Sequence, residues 1–173
     1  MRRLLFARIA FVVAFIVVPC LPCHSADWAV TPAIQRPAAP DFTLRDSSGQ
    51  AIALAAYKGR VVLLDFWATW CTGCKVEIPW YMEFEKKYKR LGLSSIGVAM
   101  DDEGWAKVLP YLHQKPINYP IVVGDAGFAK RYKVTSLPVT LLIDRHGRIA
   151  DAHEGMVVKG EWEREIQALL RER

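Results

Sequence analysis

The sequence predicts an α/β fold in which one mixed, mostly parallel sheet is covered on both faces by helices. Three observations predict it. Residues 61–67 form a continuous β-branched and apolar run, the mark of a strand buried on both faces. Strand-like and helix-like segments then alternate, which requires parallel pairing through crossover helices. The chain closes on a hairpin and a final helix, all within the compass of one core. At 52% hydrophobic and 24% charged residues, the 173-residue chain has enough apolar surface to fold, which excludes a disordered binding segment.

The first 26 residues have the three-part form of a secretory signal. Arg2, Arg3 and Arg8 supply the positive end, residues 9–18 an apolar run, and Ser25 and Ala26 small residues for cleavage. The run is shorter than the ~20 residues that span a bilayer, so cleavage is expected over retention as an anchor. Without those three arginines, Lys+Arg falls from 23 to 20 against 18 acids, too even a balance for a nucleic-acid surface. Residues 27–40, with Pro32, Pro37 and Pro40 and no periodicity, read as a linker. The domain itself is placed at 41–173.

Residues 42–45 and 51–54 flank the turn-like Asp46-Ser47-Ser48-Gly49 and predict a short hairpin. After the buried strand, Cys74, Ile78, Tyr81, Phe84, Tyr88 and Leu91 recur at three- and four-residue steps and predict a helix over 72–91. Pro79 should kink that helix, and Gly92 stops it. A strand over 94–100, a helix over 103–114, a short strand over 119–123 and a short helix over 126–132 follow. Strands over 139–144 and 148–153 are joined by Arg145-His146-Gly147, and a helix over 159–171 ends the fold.

The chemistry centres on Trp70-Cys71-Thr72-Gly73-Cys74, between the buried strand and the helix. Cys71 stands at a helix N-terminus, where free N–H groups and the dipole favour the thiolate that attacks disulfides. It is therefore expected to be exposed and nucleophilic. Cys74, one turn on, is expected to be shielded and to resolve the mixed disulfide, with Gly73 leaving room for a partner backbone. A zinc site would need two more ligands, and His113, His146 and His153 stand at no ligand spacing. A purely structural bridge would not need the strand–turn–helix setting. Upstream, Cys20-Leu21-Pro22-Cys23-His24 fits the haem-attachment pattern, but cleavage would discard it, and it is read as a chance match.

Two acids stand near the pair. Asp65 lies inside the apolar strand, where a carboxylate is costly, and Glu77 shares a helix face with Cys74 at i+3. The alternatives are a strand-edge Asp and a surface Glu favoured by the dipole. Ser136-Leu137-Pro138 precedes a strand, and on its own that proline reads as an ordinary trans turn residue.

Phe66-Trp67-Ala68-Thr69-Trp70-Cys71-Thr72-Gly73-Cys74-Lys75, followed by Leu137-Pro138 and Val139-Thr140-Leu141-Leu142-Ile143-Asp144, resembles the thioredoxin superfamily, and within it the exported TlpA/ResA-like thiol–disulfide oxidoreductases. The resemblance spans about residue 39 to the C-terminus. It implies a thioredoxin fold with an N-terminal hairpin extension and a central helix–strand insertion that includes residues 111–123. It implies that Pro138 is cis and faces the cysteines, and that Trp70, Leu137 and Pro138 meet the substrate. It assigns Asp65 and Glu77 to the resolving thiol, although many members of the branch lack the Asp.

The resemblance also implies protein disulfide substrates, apocytochrome c among them. It implies a membrane dithiol donor, a periplasmic or equivalent location, a monomer, and no bound cofactor. A peroxiredoxin-like peroxidase, the rival on the same scaffold, would want Thr or Ser three residues before Cys71, where Ala68 stands. A non-catalytic binding module with a structural bridge is the rival from another class.

Overall fold

The structure is a computed structural model and describes residues 30–172. The expected signal, the Cys20/Cys23 motif and the first residues of the expected linker lie outside them. A small hairpin, β1 (Thr43–Arg45) and β2 (Ala51–Ala53), leads into β3 (Val61–Trp67), every residue of which is buried. Then follow α1 (Thr72–Tyr88), β4 (Leu93–Ala99), α2 (Trp105–Gln114), β5 (Ile121–Val123) and α3 (Ala126–Arg131). The hairpin β6 (Val139–Ile143) and β7 (Ile149–Glu154) and the last helix α4 (Lys159–Arg171) complete the chain.

The five-stranded sheet runs β5-β4-β3-β6-β7. β3 pairs in parallel with β4, and β4 with β5, whereas β3–β6 and β6–β7 are antiparallel. The sheet is thus evenly mixed, not mostly parallel. The closing hairpin contributes as many pairings as the crossovers do.

The period-two alternation of β3 sorts the core. Val61, Leu63 and Trp67 face α1, α2 and α4, while Val62, Leu64 and Phe66 face the hairpin and α3. Asp65 therefore points under α1. In α1 the stripe Cys74, Ile78, Tyr81, Phe84, Tyr88 is buried as its spacing requires. Leu91 is not, being 62% exposed. The α-helix ends at Tyr88, and a 3-10 turn over Lys89–Leu91 swings that side chain outward. Pro79 forgoes one amide bond without ending the helix.

The segment read as a linker is, from Val30 onward, a docked arm. Thr31 N–H donates to the Ala150 carbonyl at 2.9 Å, and Ile149 N–H donates to that of Pro37 at 2.8 Å. Arg36 is buried, and its guanidinium holds the Thr31 carbonyl, Asp144 (3.1 Å) and Glu172 (2.6 Å). Composition points to a linker or arm leading into the domain, and a buried cation with three acceptors fixes it as a docked arm.

Candidate active site

β3 delivers the chain to the N-terminus of α1, and there Cys71 is the cap residue. Its Sγ accepts the Cys74 N–H at 3.2 Å, and the two cysteines form a disulfide. That N–H and the N-terminal end of the helix dipole favour negative charge on this sulfur, so reduction releases a thiolate into a favourable field. Cys71 is 5% exposed and Cys74 0%. The expectation of an exposed Cys71 is corrected to a sulfur open only at its edge, because the bridge draws it into the helix end. The ordering holds, however, with Cys74 the sealed partner.

The loop before Cys71 is held from β4. The buried Asp101 carboxylate, just past that strand, accepts the Thr69 N–H at 3.0 Å and also the Thr69 hydroxyl. Sequence reasoning passed over Asp101. An acid directly after the apolar run 96–100 was the available signal.

Around the disulfide, Trp70 is 67% exposed and Leu137 half-buried. The Leu137–Pro138 bond is cis, as the resemblance implies and against the trans reading of the dipeptide alone. Pro138 is buried and faces the pair. A Cβ on Gly73 would lie 3.4 Å from Pro138 Cδ and 3.1 Å from Met156 Cγ. The space at Gly73, expected to admit a partner backbone, is thus taken by the cis-proline and by Met156, a half-exposed side chain that no motif pointed to.

One turn along α1 from Cys74, and on β3 beneath that helix, lie the two acids. Asp65 is fully buried, and neither carboxyl oxygen has a hydrogen-bond partner in good geometry. Burial, then the neighbouring Glu77 charge, push its carboxyl well above the usual range, while the nearby Tyr119 hydroxyl opposes this. Glu77 is buried as well, which removes the surface-Glu alternative. Its Oε1 accepts the Val157 N–H at 2.6 Å, and its Oε2 has no partner. Burial raises its carboxyl too, against the Val157 hydrogen bond, the nearby Tyr81 hydroxyl and the charge of His153.

Tyr81, bonded through its hydroxyl to Thr140 at 2.8 Å, lies near both, and Gly97 lets Ile121, Trp67 and Tyr119 pack closely against β4. A Cβ on Gly97 would come within 2.5 Å of Ile121 Cδ1 and 3.0 Å of Trp67 Nε1. A buried carboxyl that holds its proton more tightly than usual is suited to acid–base exchange.

Residues 36–152 match the model of the AhpC/TSA family. The chain belongs to that family. Within it the relatives are thiol–disulfide oxidoreductases. ResA of Bacillus subtilis is 30% identical over 160 residues, 91% of this chain and 89% of its own. The thioredoxin-like protein YneN of the same species is 33% identical over 129 residues, 74% of this chain and 76% of its own.

Among solved structures, a Chlorobium tepidum protein described as the thiol:disulfide interchange protein DsbE superposes with a TM-score of 0.73 at 31% identity. That match covers 78% of this chain and 96% of the other. The exposed lipoprotein thioredoxin Etrx1 of Streptococcus pneumoniae gives 0.68 at 26%, covering 75% of this chain and all of the other. The chain has a thioredoxin-like fold of the ResA/DsbE type, with the Cys71–Cys74 disulfide in place.

Proposed function

We propose that this protein is an extracytoplasmic disulfide reductase that passes two electrons from the Cys71–Cys74 dithiol to protein disulfides. The observation that carries the reading is the asymmetry of the pair. Cys71 caps the helix with only its edge open, while Cys74 is sealed on the helix face that carries Glu77 and overlies Asp65, two protonatable carboxyls.

The Cys71 thiolate attacks one sulfur of a substrate disulfide, and the other substrate sulfur leaves and takes a proton. Cys74 then gives its proton toward Glu77 or Asp65 and attacks Cys71 Sγ, forming the intramolecular disulfide and releasing the second substrate thiol. Trp70, Leu137 and Pro138 form the docking edge. A membrane dithiol carrier returns the chain to the dithiol, and the protein acts as a monomer.

Cysteine pairs of apocytochrome c are a fitting substrate class for a ResA-type chain. Location is supported by the signal-like N-terminus and by the pneumococcal neighbour, an exposed lipoprotein.

Cys74→Ser, expressed in an exporting host, should accumulate reductant-sensitive covalent complexes with its substrates, and Cys71→Ser almost none. Equal trapping by both variants would reverse the roles. Equilibration with a thiol buffer tests direction. A potential near about −270 mV supports a reductant, and one near about −120 mV an oxidant.

A further inference from the structure

One peptide group beside the site is held from both ends. The Met156 carbonyl lies 3.2 Å from His153 Nε2, and the N–H of the same peptide, on Val157, donates to Glu77 Oε1 at 2.6 Å. A carbonyl can only accept, so Nε2 carries the hydrogen and His153 is the donor. The side chain that leaves this peptide is Met156, packed against Gly73 and Pro138. Thus β7, through His153, and α1, through Glu77, jointly place the segment that walls the disulfide.

We propose that His153 is a positioning residue, clamping the Met156–Val157 peptide against Glu77 and so setting both the Glu77 carboxylate beside Cys74 and Met156 over the disulfide. The proposal rests on the reading that Glu77 serves the resolving thiol. The clamp is strongest with a carboxylate at one end and an imidazole N–H at the other, since charged partners strengthen both hydrogen bonds. The peptide conveys the coupling, and the histidine charge favours the ionised Glu77.

Other groups share the space. Asp65 from β3 and Tyr81 from α1 face Glu77. Asp151 on β7 and Glu165 from α4, which interact with each other, lie further along the same side. The Trp162 ring packs at 6.1 Å from the imidazole. Among the described residues, His153 and Glu77 are the side chains hydrogen-bonded to the clamped peptide. In the sequence it was weighed solely as a zinc ligand, because nothing local announces a partner 76 positions upstream.

The test uses the full chain with His153→Leu and His153→Gln, each also combined with Glu77→Gln. Three readouts are taken: amide exchange at Val157, the Glu77 carboxyl carbon shift followed by NMR across pH, and the pH profile of single-turnover disulfide reduction. His153→Leu should speed Val157 exchange about fivefold, the loss of one ordinary hydrogen bond. It should also raise the Glu77 midpoint and move the reduction profile the same way.

His153→Gln, which keeps an N–H donor, should preserve the Val157 protection but not the midpoint. In the Glu77→Gln background the His153 variants should leave the profile unmoved. If Val157 exchange or the Glu77 midpoint is unchanged in His153→Leu, the clamp is overturned. If Glu77→Gln alone leaves the profile untouched, the role of Glu77 fails while exchange and titration still decide the clamp.

Discussion

Asp65 is a carboxyl group with no hydrogen-bond partner in the middle of a buried strand, and its cost is visible through pH. Its carboxyl lies well above the usual range, chiefly through burial and then through Glu77. The folded chain therefore keeps a proton that the unfolded chain releases near pH ~4. For a raised folded value, the stability is fully present below that pH and is lost as pH climbs toward the folded value. The loss is at most about 1.4 kcal/mol per pH unit for one proton. Asp65→Asn removes it. The variant should match the parent near pH 4 and exceed it increasingly toward pH 8, as read by denaturant midpoints. A stability difference that does not change with pH would sink this account.

The elements are joined at the end opposite the disulfide by Arg36. One guanidinium ties the docked arm, the turn between β6 and β7, and the residue just past α4. Asp144 is 5% exposed and also accepts the N–H groups of His146 and Arg148, so the pair sits in a built turn. Removing the cation leaves a buried carboxylate uncompensated, a loss of about 3 kcal/mol or more. Arg36→Ala should lower the unfolding midpoint by that amount and speed amide exchange at Thr31 and Ile149. Cys71 reactivity should not change. An unchanged midpoint would mean that the arm docks by its backbone bonds alone.

For the whole molecule, the direction of electron flow is a statement about which redox form folds more stably. The Cys71 sulfur accepts the helix-end N–H of Cys74, which favours its thiolate, whereas Cys74 is sealed on the side where burial holds two carboxyls toward their neutral forms, which favours its thiol. A dithiol form in which only one of the two sulfurs gains thiolate stabilisation leaves the disulfide the favoured state, the property of a reductant. Thermal unfolding of the oxidised and the dithiothreitol-reduced protein should therefore give the higher Tm to the oxidised form. A higher Tm for the reduced form would reassign the protein as an oxidant.

Periodicity and turn chemistry alone determined most of the frame. The run of β3, apolar but for Asp65, the stripe of α1 and the bounds of α4 are local patterns, legible because burial period and helix period are written in consecutive residues. The motif Trp70-Cys71-Thr72-Gly73-Cys74 was legible for the same reason, as was the pairing of Glu77 with the Cys74 face.

What only the tertiary structure decided depends on partners distant in the chain. Residues 30–40 are docked because Arg36 finds Asp144 and Glu172, more than a hundred positions away. Leu91 turns outward because a helix tightens at its end. Pro138 reaches Gly73, and Asp101 holds Thr69, across separate strands. A sequence specifies which side chains an element buries. Which polar groups meet inside the core is settled only when the sheet order brings β7 and α1 to the same peptide.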